Sequence, residues 1–144
     1  EAAAAGIAAA DFGARGFALM GISAARMHHV TPRAVGVAVV AAPRRRKTIE
    51  LTDRRAAVRF LVRDLEVMDL ELMETDLGRC LVTTPEQTLL DLSHRAGQRG
   101  LTEDVAAAMR ALAPLCDPEE LEVIAGRQRL GRALGRLRRE GLVP

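Results

Sequence analysis

The stretch Thr83-Thr84-Pro85-Glu86-Gln87-Thr88-Leu89-Leu90-Asp91-Leu92 decides the fold, because a strand-forming first half gives way there to a helical second half. Thr84 has the short hydroxyl that accepts a hydrogen bond from the unpaired N–H groups of a helix start. Pro85 suits the first helical position, where its missing N–H had no partner anyway, and Gln87 stands three residues on to close a capping box. Just upstream, Arg79-Cys80-Leu81-Val82-Thr83 reads as a short strand. The segment thus drives a strand directly into a helix whose Leu89, Leu90 and Leu92 face a core.

Working outward toward the N-terminus, Leu70 to Thr75 and Arg79 to Thr83 form a hairpin around Asp76-Leu77-Gly78, where glycine supplies the positive φ of the turn. Val58-Arg59-Phe60-Leu61-Val62, the alternating Lys47-Thr48-Ile49-Glu50-Leu51-Thr52, and Val35, Val37 and Val39 give three more strands. Ala42-Pro43-Arg44-Arg45-Arg46 joins the strand of Val35, Val37 and Val39 to that of Lys47 to Thr52 and is too basic to be buried. Phe17-Ala18-Leu19-Met20 reads as a short extended piece, and Ser23 as the cap of a short helix that ends near His28-His29, with Pro32 closing any helix there. Glu1 to Ala10 is a helix former, interrupted by Gly6 and stopped near Gly13.

Toward the C-terminus, Thr102-Glu103-Asp104 caps a helix with Val105, Ala108, Met109 and Leu112 on one face. Asp117-Pro118-Glu119-Glu120 repeats the logic, with Asp117 as N-cap and Glu120 in the capping-box position, and a final helix follows. Short links between strands predict a mainly antiparallel sheet of four or five strands. The class is α+β, with short N-terminal helices, a C-terminal helical segment and the sheet covered on one face.

Of the 144 residues, 49% are hydrophobic, but 25 of these are Ala. The remaining Leu, Val, Ile, Met and Phe number 43, enough for one compact domain over residues 1–144. Without Trp or Tyr the chain lacks the usual stacking platform for single-stranded nucleic acid. Net charge is +2, and 20 of the 21 basic residues are Arg. A GC-rich genome favours Arg and Ala together, so arginine content alone does not signal nucleic acid. Cys80 and Cys116 form no CxxC and read as reduced core residues of a cytoplasmic protein. No apolar run is long enough for a membrane span, and the start lacks the basic leader of a signal peptide. The chain opens on Glu1 within a helix-forming run, which reads as a piece of something longer.

Two basic clusters are the candidate binding residues. Arg129, Arg132, Arg136 and Arg139, spaced three, four and three apart, line the face of the last helix opposite Leu130, Leu134 and Leu137, a row of cations suited to an acidic partner or a phosphate backbone. As a solvated outer face the same row needs no partner. Gly126, Gly131 and Gly135 weaken that helix by roughly 1 kcal/mol each, and Gly131-x-x-x-Gly135 allows a close helix pair. Arg44, Arg45, Arg46 and Lys47 repel one another and are tolerated only in water or against anions; as a hairpin tip their charge discourages edge pairing. Catalytic machinery is not evident. His28 and His29 point about 100° apart in a helix, no ligand spacing supports zinc, and no G-x-S-x-G, P-loop or G-x-G-x-x-G is present. The acids Asp64, Glu66, Asp69, Glu71, Glu74 and Asp76 suggest a nuclease core only if a lysine lies beside them, and Lys47 is the only one.

Two segments carry a family resemblance. Val82-Thr83-Thr84-Pro85-Glu86-Gln87-Thr88-Leu89-Leu90-Asp91-Leu92 resembles the T-x-x-x-T-L-L-D-L segment of the C-terminal domain of AbiEi-type antitoxins. Leu19-Met20-Gly21-Ile22-Ser23-Ala24-Ala25-Arg26-Met27-His28 resembles the same family's L-S-G-x-S-A-x-x-L-H-G segment, followed by a strand and a basic turn. Matches fall at Leu19, Gly21, Ser23, Ala24, His28, Thr84, Thr88, Leu89, Leu90 and Asp91. Met20 stands where the family has a small hydroxyl residue, and His29 where it has glycine. The resemblance implies a non-catalytic antitoxin module, without cofactor or metal, that counters a nucleotidyltransferase-like toxin from the same operon. It also implies operator DNA as a partner through a separate winged-helix domain upstream. From charge alone, the alternative is a nucleic-acid-binding transcriptional regulator that uses the two arginine clusters; a domain dimerising through the glycine-bearing last helix is the third reading.

Overall fold

A computed structural model describes residues 1–31, 36–100 and 102–144, with Gln98 and Arg99 described by their backbone alone. Pro32 and Val35, expected as a helix stop and a strand residue, lie outside the described residues. In chain order the elements are α1 (Ala2–Phe12), β1 (Ala18–Leu19), α2 (Gly21–Met27), β2 (Val37–Ala42), β3 (Ile49–Leu51), β4 (Ala56–Val62), β5 (Leu70–Thr75), β6 (Gly78–Thr83), α3 (Pro85–Arg99), α4 (Glu103–Leu112), α5 (Pro118–Gln128) and α6 (Gly131–Arg139).

The α+β class stands, but the sheet is not the mainly antiparallel one of four or five strands. It has six strands in the order β3-β4-β2-β1-β6-β5. β1 runs parallel to β6 and β2 runs parallel to β4, while β1–β2, β3–β4 and β5–β6 are antiparallel. The expectation failed where a short link was equated with a hairpin. After β2 the basic link skips one position, so β3 becomes an edge and β4 turns back into the gap, pairing Val37 with Ala57 through Ala42 with Val62. The extended piece at Phe17–Met20 supplies the sixth strand, whose two residues are too few to show alternation. The β5–β6 hairpin is as expected, with Thr75 opposite Gly78 and Gly78 at φ 114°.

Strand alternation gives the sheet two different faces. Leu19, Val40, Val58, Cys80 and Val82 pack with Ala4, Ala5 and Ala8 of α1 and Ala24 of α2. The opposite face carries Ala18, Met20, Val39, Ala41 and Leu61, partly covered by Leu65 and Met68 of the β4–β5 link. Both faces are therefore covered, where one was expected. A second core lies among the helices, with Leu89, Leu90, Met109, Leu112, Leu121, Ile124 and Leu137 fully buried. The Ser93 hydroxyl bolts α3 to α6 by donating to the Ala133 carbonyl at 2.9 Å.

Helix ends explain several departures. α2 closes with Val30 N–H on the Ala25 carbonyl (3.1 Å) and His29 at φ 59°, and α5 closes the same way with Leu130 N–H on the Ala125 carbonyl (2.8 Å) and Arg129 at φ 57°. Both are Schellman closures in which a left-handed residue, usually glycine, lets the chain leave the helix. His29 thus occupies a glycine conformation at the very position where the sequence departs from glycine. The final helix is consequently two helices, and Arg129 belongs to the break rather than to the arginine row of α6. Ser23 lies inside α2 and caps nothing; its hydroxyl accepts Val39 N–H at 2.8 Å, fastening the helix to β2. No helix among the described residues is long and apolar enough to cross a membrane.

Candidate functional site

Gln87 is the pivot of the site. Thr84 caps α3 as its sequence predicts, its hydroxyl oxygen accepting Gln87 N–H at 3.3 Å, but the Gln87 side chain does not return to close a capping box. It turns inward instead. Its Oε1 accepts Asp69 N–H at 3.0 Å, and its amide donates to Asp91 Oδ1 at 3.1 Å and pairs with the Gln128 amide. Arg63, just past β4, donates to Asp91 Oδ1 at 3.2 Å and to Gln128 Oε1 at 3.1 Å. Gln128 closes the ring by donating to the Val67 carbonyl at 2.9 Å. One polar network therefore joins the sheet, α3 and the end of α5.

Asp91 is the costly member, because its carboxylate is 2% exposed. Burial pushes its pKa up, against the opposing pull of the Arg63 guanidinium and the Gln87 amide. Its Oδ2 is buried without a hydrogen-bond partner among the described residues. A buried pair of this kind is a weak contributor to net stability but expensive to break.

The network opens onto a cleft of about 390 Å³ between the second sheet face, α3 and the α5–α6 break. Alternation along β4 places Arg59, Leu61 and Arg63 on this face, with Val58 and Phe60 on the other. Arg95 and His94 enter from α3, and Arg129 from the helix break. Four arginines and one histidine line the cleft against one acid, Asp91. His94 is shared with a neighbouring cleft of about 250 Å³, lined by Arg132 and Arg136. There the Arg136 guanidinium lies so close over Gly97 that a Cβ at that position would meet its Nη2 at 2.4 Å.

The structure separates the two predicted basic clusters. Arg44 donates to the Asp11 carbonyl at 3.0 Å and stacks over Phe12, and Arg46 pairs with the Asp11 carboxylate at 2.5 Å. These two cations serve the C-terminal end of α1, where cations are favoured, while Arg45 and Lys47 are exposed beside them. Phe12 packs on Phe60 with ring centroids 6.0 Å apart, so this cluster lies toward the sheet face opposite the cleft. Arg129, Arg132 and Arg136 line the clefts, and Arg139 is exposed further along α6. Arg59, Arg63, Arg95, Gln87, Asp91 and Gln128 were not foreseen as site residues; the period-two spacing of Arg59 and Arg63 was the one signal able to reveal part of it.

Other candidates lose their context. Glu71 and Glu74 belong to edge strand β5, and Lys47 precedes β3 at the opposite edge, so the acids and the lysine do not meet. His28 donates Nε2–H to the Thr83 carbonyl at 2.8 Å, a structural tie between α2 and β6. Among the described residues no group of three or more His, Cys, Asp or Glu is placed to hold a metal ion. Burial pushes the Cys116 thiol up to about 12 and raises the Cys80 thiol as well.

Comparison with known proteins adds three findings. Residues 17–139 match the family described as the AbiEi antitoxin C-terminal domain. No curated protein matches the chain. Among solved structures it is similar to an antigenic nucleotidyltransferase-like protein from Paracoccidioides brasiliensis, with 11% identity and a TM-score of 0.57, covering 86% of this chain and 79% of that one. At that identity the likeness is one of fold.

Proposed function

Since the chain belongs to the AbiEi antitoxin C-terminal domain family, we propose that it is an antitoxin module countering a nucleotidyltransferase toxin encoded in the same operon. It acts through its surface, by protein-level interaction or regulation, without catalysis of its own. The family match carries this reading: it runs from Phe17, just before β1, to Arg139, the last residue of α6. The buried core among the helices and the whole polar network fall within it, while α1, which packs on the first sheet face, lies outside it. In this reading, a winged-helix domain upstream supplies contact with operator DNA.

A regulator that itself binds nucleic acid is the second reading, and one observation favours it. Arg59, Arg63, Arg95 and Arg129 are gathered in one concavity rather than scattered over the surface. Growth rescue distinguishes the two. Co-expression of residues 1–144 with the nucleotidyltransferase-like product of the adjacent gene restores growth under the antitoxin reading. Lack of rescue by folded, abundant protein refutes it for this module, and salt-dependent duplex binding that weakens by orders of magnitude toward physiological salt then supports the regulator.

A further inference from the structure

The cleft at the α5–α6 break holds more positive charge than its own residues neutralise. Arg63 is committed to Asp91 and Gln128. The Arg59 and Arg129 side chains make no ion pair or hydrogen bond among the described residues, and Arg95 also lines the wall. Cations held this close in a concavity reinforce one another's field and concentrate anions there. A planar guanidinium offers paired N–H donors that match the oxygens of a phosphate group.

Arg129 gives an independent reason to see a binding site. It stands at φ 57° in a Schellman closure, where glycine is at ease and a side chain is strained. A cation is thus kept at a position where stability alone favours glycine, and it lines the cleft. Strain of this kind gathers at ligand sites. The rest of the lining fixes what is recognised. Met20, Leu61 and Leu130 form an apolar floor, and all three Phe residues of the chain pack on the other face of the sheet. Among the described residues no Phe ring lines the cleft to stack on a base, and the chain has no Trp or Tyr; the volume lies within the range of small-ligand pockets.

We infer that this cleft binds the phosphate groups of a nucleotide or of a nucleic-acid backbone, with Arg59 and Arg129 as the principal contacts and the base left unread. The inference stands independently of the antitoxin reading.

Calorimetric titration of residues 1–144 in low salt tests it with three probes: tripolyphosphate, ATP and a 12-nucleotide single-stranded DNA. Binding of tripolyphosphate and ATP with similar affinity is the result expected if the source is a free phosphorylated ligand. Binding of the oligonucleotide alone identifies a backbone. In either case Arg59→Gln weakens binding about tenfold, the loss of one charge-assisted contact. Arg129→Gly weakens binding likewise while raising Tm by about 2–4 °C, because the strained residue becomes glycine. That opposite movement of affinity and stability separates a binding role from a structural one. Lys47→Gln, on the other side of the sheet, leaves binding unchanged. Failure of all three probes to bind folded protein at millimolar concentration overturns the inference. Binding that Arg59→Gln and Arg129→Gly leave intact, or that Lys47→Gln weakens equally, overturns it as well.

Discussion

Replacing Arg63 by Met isolates the energetics of the buried carboxylate. The variant keeps the aliphatic stem over the sheet but removes the bond to Asp91 Oδ1 and the bond to Gln128 Oε1. Breaking a fully buried ion pair costs about 3–5 kcal/mol. Here the Arg63 side chain is 26% exposed and Gln87 still serves Asp91, so about 2–3 kcal/mol is the expected loss at pH 8. The loss depends on pH, and its sign follows from burial. Asp91 in the folded protein has a pKa above its ordinary 3.8, so the native state binds the proton more tightly and stability falls as pH rises from 3.8 through the folded value. Arg63 opposes that shift, so without it the folded value rises further and the window of falling stability widens upward. Arg63→Met is therefore close to wild type near pH 4 and departs from it steadily as pH rises, by about 1.4 kcal/mol for each unit of added shift. Urea unfolding at pH 4, 6 and 8 measures the difference. In the double variant Arg63→Met/Asp91→Asn the carboxylate is gone, the pH dependence disappears and more than half of the stability at pH 8 returns. A difference between Arg63→Met and wild type that is the same at all three pH values would refute the reasoning, as would a double variant no more stable than the single one.

Three further outcomes are expected. His29→Gly raises stability by about 0.5–1 kcal/mol, since it relieves a left-handed residue whose exposed side chain makes no hydrogen bond or ion pair among the described residues; chemical denaturation of the two proteins checks it. Thr84→Ala destabilises by about 1–2 kcal/mol, because its hydroxyl both caps α3 and donates to Asp69 Oδ2 at 2.8 Å; a loss under 0.5 kcal/mol in the same assay contradicts that dual role. Neither thiol reacts appreciably with a disulfide reagent at pH 8 in the folded protein, whereas two react in denaturant, because burial raises both pKa values, Cys116 to about 12; rapid native labelling speaks against this packing.

Local chemistry was legible where a single side chain decides the outcome. The caps at Thr84 and Thr102, the hairpin at Gly78 and the buried stripe of α4 are each set by a residue and its near neighbours. Long-range pairing was not legible, because nothing within β2 distinguishes β3 from β4 as its partner. Gln87 shows the same limit at one residue: its spacing fits a capping box, yet Asp69, Asp91 and Gln128 compete for its amide and win. At Asp117 a distant side chain likewise replaces the local one, since its N–H donates to Glu86 Oε1 at 2.9 Å rather than to Glu120. Arginine counting found Arg129, Arg132 and Arg136 on a helix row, but the cleft they line depends on Arg59, Arg63 and Arg95 arriving from other elements.

The order in which this sheet can assemble is constrained by its shortest strand. β3–β4–β2 on one side and β6–β5 on the other are each drawn from nearby sequence, but their only common member is β1, where Ala18 meets Ala41 and Leu81, and Leu19 meets Val40 and Val82. Closing the last of these ladders spans more than sixty residues for two pairs of partners, a late and entropically demanding event. The amides of Ala18 and Leu19 then exchange with solvent only when the whole molecule opens, while each flanking ladder is free to retain protection of its own. The site, built from Arg63 on one side of that junction and from helices that follow the other side, is complete only once it closes.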